Sequence, residues 1–130
     1  MLVVDANVAL AACGGTDDGF AGLGDKTASV PLMWSEARAA LHLQLTKGEI
    51  AREDAEIIHH RLERCPVERI DLPGLGNKAW DLAEEFGWGR TYDAEYVALA
   101  WLLDCRLVTL DERLRRGADR LGFVITPSEL

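Results

Sequence analysis

Leu2-Val3-Val4-Asp5-Ala6-Asn7-Val8 begins as a β-branched run, stops on a carboxylate and passes into the apolar, helix-like stretch Val8 to Cys13. A short continuous apolar run closed by a polar residue reads as a buried strand. The same order returns near the far end, where Arg106 to Leu110 gives way to Asp111-Glu112-Arg113-Leu114. Strand, carboxylate, helix, met twice about a hundred residues apart, predicts parallel strands whose C-terminal ends lead into covering helices.

Working outward, Ala28 to Leu32 reads as a second strand and Trp34 to Thr46 as the helix after it, with Leu41 and Leu45 on one face and Gly48 as its stop. Asp17 and Asp18 are expected to open a short helix before it, with Phe20 and Leu23 as the buried face. Arg52 to Arg64 is a charged amphipathic helix carrying Ala55, Ile58 and Leu62; Pro66 ends it, and Val67 to Ile70 reads as strand three. Leu75 to Phe86 reads as a helix ending near Gly87, and Phe123 to Ile125 as a fifth strand after Arg106 to Leu110. Asp93 to Leu103 is apolar nearly all round, which predicts a buried central helix. The expectation is a single α/β domain over residues 1–130, a parallel sheet of about five short strands with helices on both faces.

Net charge is −8, from 14 Lys+Arg against 22 Asp+Glu, which is the wrong sign for nonspecific nucleic-acid binding through displaced counterions. An acidic chain that handles RNA or DNA must fill its acidic site with cations and meet the substrate at a local basic patch. Cys13, Cys65 and Cys105 show neither a CxxC nor zinc spacing, which argues against a disulfide framework and suits a reducing cytoplasm. Leu10-Ala11-Ala12-Cys13-Gly14 has the look of a lipoprotein cleavage site, but no Lys or Arg precedes it and Asp5 and Asn7 interrupt the run. No stretch approaches the ~20 apolar residues of a membrane span.

Asp5, Glu36, Asp93 and Asp111 each stand where a strand passes into a helix, or in the first turns of that helix. Singly, the three Asp residues read as helix caps or macrodipole partners and Glu36 as a solvent-facing side chain. Jointly, all four map to the carboxyl edge of a parallel sheet, where α/β folds bind ligands. Carboxylates ~4 Å apart repel by about 4 kcal/mol per pair at an effective dielectric near 20. A divalent cation relieves that repulsion, and an oxygen-only donor set suits Mg²⁺ or Mn²⁺. Metal-assisted phosphodiester cleavage is the chemistry this points to.

Val4-Asp5-Ala6-Asn7-Val8, Ser35-Glu36-Ala37, Thr91-Tyr92-Asp93-Ala94 with Tyr96-Val97-Ala98-Leu99-Ala100, and Leu107-Val108-Thr109-Leu110-Asp111-Glu112-Arg113-Leu114 resemble, in order and spacing, the PIN-domain nucleases. Within these the chain resembles VapC-type toxins of toxin–antitoxin pairs, over essentially its whole length. The resemblance implies a PIN-like fold and an endoribonuclease whose metal site is Asp5, Glu36, Asp93 and Asp111. It further implies Mg²⁺ or Mn²⁺ as cofactor, products with a 5′-phosphate and a 3′-hydroxyl, a cognate antitoxin and a homodimer. Asn7 stands where many relatives carry Ser or Thr and is carried over as a supporting residue, with Thr91 beside Asp93. Ala39 departs from the Asn that relatives often place three after the Glu. Arg90 is a candidate for gripping substrate phosphate, since a guanidinium fork matches phosphate geometry, and reads equally as a surface Arg near a turn.

Other signals are weaker. Glu56-x-x-His59 and His60-x-x-Glu63 lack the further Glu-bearing helices of a di-iron bundle, so a solvated helix face is expected. Gly22-x-Gly24 and Gly74-x-Gly76 lack the context of a dinucleotide loop. Trp34, Trp80, Trp88 and Trp101 are expected in the core or an interface, with Trp88 the one between glycines and exposed. Two other functions compete. One is a catalytically silent PIN-like module that binds RNA or protein. The other is a haloacid-dehalogenase-type phosphatase, whose loop wants a second Asp where Asn7 stands.

Overall fold

The computed structural model describes residues 1–15 and 19–130. Asp17 and Asp18 lie outside the described residues, so the start of the helix expected there does too. Its remainder is a single 3₁₀ turn, Ala21–Leu23, with Phe20 and Leu23 packed against the core.

In chain order the strands are β1 (Leu2–Val4), β2 (Thr27–Ser29), β3 (Val67–Arg69), β4 (Arg106–Val108) and β5 (Val124–Ile125). The helices are α1 (Ala6–Gly14), α2 (Leu32–Thr46), α3 (Arg52–Glu63), α4 (Leu75–Phe86), α5 (Tyr92–Leu103) and α6 (Glu112–Gly117). Every strand pair is parallel, in the order β3-β2-β1-β4-β5. From β1 the chain winds outward through β2 to β3, then crosses back to β4 on the other side. The switch point therefore lies between β1 and β4, and the crevice beyond their carboxyl ends is where such folds bind ligands. The register Leu2↔Arg106, Val3↔Leu107, Val4↔Val108 brings the residues that follow both strands to the same level.

The central strands are buried on both faces, as β-branched and aliphatic runs require. Helices α1, α2 and α3 pack together, whereas α4 packs on α5 and α5 lies on β1 and β4. Because α5 ends at Leu103 just before β4 begins, it runs antiparallel to that strand. Its first turn therefore sits over the carboxyl edge. Asp104, left-handed at φ 52°, makes the turn between them, a conformation that Asp tolerates better than most residues.

Four expectations need correction. Strand two ends at Ser29, not Leu32: Pro31 takes helical angles (φ −53°, ψ −33°), so Leu32 already belongs to α2. Strand four stops at Val108, because Asp111 turns the chain into α6, leaving Leu110 49% exposed. Helix α5 is not buried all round. The sheet and α4 cover Ala94 and Tyr96 to Ala100, but Tyr92 and Trp101 face outward, with the Lys78 ammonium 3.6 Å above the Trp101 ring. The tryptophans also sort differently. Trp34 is buried, Trp88 is half-buried and stacked on Phe86, and Trp80 and Trp101 stand exposed. Among the described residues no helix is long and apolar enough to cross a membrane.

Candidate active site

Asp5 follows β1 and caps α1. Its Oδ1 accepts from the Val8 amide at 3.0 Å, and its Oδ2 accepts from the Thr109 hydroxyl at 2.5 Å. The carboxyl is 7% exposed. Burial raises its pKa; the Thr109 and Val8 hydrogen bonds pull it back, and the charges of Asp111 and Glu36 push it further up. The cap reading of Asp5 is thus borne out, and the same carboxyl faces the charges of Asp111 and Glu36.

Asp111 is also a cap: its Oδ1 accepts from the amides of Arg113 (2.9 Å) and Leu114 (3.3 Å). Its own amide donates to Thr109 Oγ1 at 3.0 Å, so one fully buried hydroxyl ties Asp5 to Asp111 across the β1–β4 switch. Glu36 lies in α2, half-buried, and its Oε1 accepts from the Tyr96 hydroxyl at 2.5 Å. Tyr96 is 1% exposed, and burial, then the Glu36 carboxylate, lifts its phenol far above the ordinary range. It therefore stays protonated and keeps donating.

Asp93, in the first turn of α5, accepts no hydrogen bond among the described residues and has its surface in water. Its pKa is nonetheless raised, first by desolvation of the carboxyl, then by Asp111, Glu36 and Asp5 in that order; Arg113 opposes them. The three acids that press on Asp93 are the other three residues the sequence pointed to. Four segments spread along the chain therefore place their charges within reach of one another.

That placement stops short of a finished chelate. Among the described residues no three His, Cys, Asp or Glu side chains are gathered closely enough to hold a metal ion as they stand. The donor chemistry fits a hard dication: all four groups are carboxylates, and the second oxygens of Glu36 and Asp111, with both of Asp93, are not hydrogen-bonded within the described residues. Rotation of these side chains is what an ion would require.

Asn7 is exposed in the first turn of α1 and borders a shallow apolar hollow with Leu10, Leu41 and Leu110. Thr91 precedes α5 without a side-chain capping bond. Arg90 is exposed and has no ion pair or hydrogen bond among the described residues. Three residues the sequence reading did not single out belong here: Tyr96, Thr109 and Arg113. Tyr96 had a legible signal, since it follows Asp93 by three on α5 and so shares its face. Thr109, two before Asp111, had none beyond its place at a strand end.

A parallel sheet with this winding and acids at its switch point defines a PIN-type domain, and the chain belongs to that family: the PIN domain model matches residues 2–120. The chain is 35% identical over 117 residues to "VapC ribonuclease Mb0985" of Mycobacterium bovis, covering 88% of each chain. Among solved structures it is similar to PAE2754 from Pyrobaculum aerophilum (TM-score 0.78, 23% identity, 98% of this chain and 84% of that one). It is also similar to a chain of a toxin–antitoxin complex from Klebsiella pneumoniae (TM-score 0.69, 16% identity, 98% of each). At those identities the two structures speak to the fold, which is the five-stranded parallel α/β arrangement described above. Family membership also replaces the haloacid-dehalogenase comparison.

Proposed function

We propose that this chain is a Mg²⁺- or Mn²⁺-dependent endoribonuclease toxin that hydrolyses RNA phosphodiester bonds and is neutralised by a cognate VapB-type antitoxin. The observation that carries the reading is Asp93, whose carboxyl is pressed by Asp111, Glu36 and Asp5 together. The ribonuclease named among its relatives supports the reaction, and the toxin–antitoxin complex among its structural neighbours supports the partner.

Asp5, Asp93 and Asp111 are the residues that would hold the ion, with Glu36 beside them. A bound dication supplies charge neutralisation at the phosphoryl oxygens and a lowered pKa for the attacking water. Thr109 fixes Asp5 and Asp111 relative to each other through its hydroxyl. Tyr96 pins one oxygen of Glu36 and leaves the other to orient the attacking water and take up its proton. Arg90 grips a substrate phosphate from the rim. In-line attack then leaves a 5′-phosphate and a 3′-hydroxyl. Asn7 and Thr91 support the acids that follow them in space, and a homodimer is the assembly we assign.

The test is cleavage of RNA by the purified chain with Mn²⁺, with EDTA, and with Asp93→Asn. Metal-dependent cutting with 5′-phosphate ends, abolished in the variant, is expected. A second reading, a silent binding module, draws on the carboxylates not being gathered to ligand distance. RNA binding with no cleavage at any Mn²⁺ concentration would establish that reading instead.

A further inference from the structure

Of the four tryptophans, three have partners: Arg69 covers Trp34, Phe86 stacks on Trp88 at 5.0 Å and Lys78 covers Trp101. Trp80 has none among the described residues, and its indole is 63% exposed. It lines a cleft of about 350 Å³ together with Trp88, Glu84, Gly89 and Thr91. That volume lies at the small end of the range for ligand pockets. The Trp88 wall is braced from behind, because Phe86 lies against it with planes 18° apart and the Arg120 guanidinium sits 4.2 Å over the Phe86 ring.

Thr91, which lines the cleft, is two residues before Asp93, so the chain passes from the cleft into the first turn of α5 where Asp93 stands. Trp80 stands two helical turns, roughly 10 Å, before Gly87 at the end of α4. Exposed and unpaired Arg90 lies on the rim between Gly89 and Thr91. With a net charge of −8 the chain gains little from phosphate electrostatics beyond a local cation such as Arg90, so stacking, which any base face can supply, is the further source of affinity for a single strand. Glu84, one turn beyond Trp80 on the same helix face, offers acceptors to the N–H donors of a base edge.

Resting on the ribonuclease reading, we propose that this cleft is a nucleobase subsite: a base a short step along the strand from the scissile phosphate stacks on Trp80 against the Trp88 wall, with its edge toward Glu84. Gly89 provides a clean probe. A Cβ there meets nothing within 4 Å, and its φ is not in the left-handed region, so a side chain fills the cleft without straining the backbone.

The experiment compares wild type, Trp80→Ala, Gly89→Leu and Trp80→Phe on a randomised pool of single-stranded oligoribonucleotides. It reads binding by anisotropy in EDTA, cleavage with Mn²⁺, end-mapped base preference, and mass in solution. Trp80→Ala and Gly89→Leu should weaken binding and raise KM roughly 5- to 100-fold while kcat is kept, Trp80→Phe should restore most of it, and base preference at one position should flatten. Binding that depends on Trp80 without any cleavage keeps the subsite and removes the nuclease. Cleavage with unchanged KM and preference in both variants overturns the subsite and leaves the nuclease. A switch in oligomeric state with KM unchanged assigns the face to a second copy and overturns it too, as does the absence of any RNA binding.

Discussion

Tyr96→Phe removes one hydroxyl from a side chain that is 1% exposed and whose phenol meets Glu36 Oε1 at 2.5 Å. The ring's packing is untouched, so the change isolates that hydrogen bond. A hydrogen bond to a charged acceptor contributes about 1.5–3 kcal/mol. Glu36 is half-buried, so water replaces part of the loss on its side, and the phenol's own desolvation cost disappears. The net destabilisation should be about 1 kcal/mol, a fall in Tm of roughly 3–5 °C for a domain of this size. The functional effect should exceed the structural one. An untethered Glu36 samples several rotamers, and loss of a group that orients a metal-site carboxylate typically costs about 10- to 100-fold in activity or metal affinity. Thermal melts in EDTA, Mn²⁺ titration by calorimetry and steady-state cleavage would read the three quantities. A drop in kcat and in Mn²⁺ affinity with KM little changed is expected. Full activity at normal Mn²⁺ affinity, alongside the predicted fall in Tm, would show that the tyrosine serves packing alone and would refute the positioning argument.

Thr109→Val should be costlier to the fold, because it strips the buried Asp5 Oδ2 of its donor and the Asp111 amide of its acceptor; a loss of about 2–4 kcal/mol in denaturant unfolding is expected. Asp93→Asn breaks no hydrogen bond and relieves repulsion, so in EDTA its Tm should match or exceed wild type; discounted for solvent exposure and the macrodipole, the gain is about 1 kcal/mol or less, while metal-dependent cleavage is lost. The pH dependence follows in sign. Asp5 and Asp93 have raised folded pKa values, so the folded state holds more protons than the unfolded one between the ordinary Asp value of about 3.9 and those raised values. These two groups should therefore add to metal-free stability as pH falls from neutral into that window, against the opposing loss from Asp25, Glu63 and Glu129, whose pKa values are lowered; Tm in EDTA should rise less, or fall more steeply, with falling pH in Asp93→Asn than in wild type, and identical profiles would contradict the assignment. Mn²⁺ near 100 times its Kd should stabilise wild type by about 2.7 kcal/mol and Asp93→Asn far less. No shift in wild type at millimolar Mn²⁺ would remove the metal site.

The alternation of parallel strands and helices was legible because it rests on strong local signals: β-branched runs, strand-to-helix changes of period and stops at Gly48, Pro66 and Gly87; the strand order was not. Helices α3 and α4 follow those signals almost residue for residue, Arg52–Glu63 and Leu75–Phe86. Strand ends were less legible because they are set by competition rather than propensity. Pro31 favours helix entry just where Val30 and Leu32 favour continuation, and Asp111 starts a cap while Leu110 still looks like strand. The four acids could be proposed as a group from their place at or just beyond strand ends, a topological regularity that one sequence carries. Their hydroxyl partners were not, since the Thr109 and Tyr96 contacts join residues 104 and 60 positions apart.

Each of three acids is occupied by the fold itself: Asp5 and Asp111 cap helices, and Glu36 takes the Tyr96 hydroxyl. These bonds fix at least one oxygen of each of the three carboxylates, and like charges held near one another repel in the absence of a cation. Among the described residues Asp93 accepts no hydrogen bond, and it bears the charge of the other three. A cation arriving at this crevice would find most of the ordering already done, with rotation of Asp93 and the second oxygens of its neighbours left to complete. The hydroxyls and amides that make the acids look like ordinary helix caps also set where the carboxylates of the crevice stand.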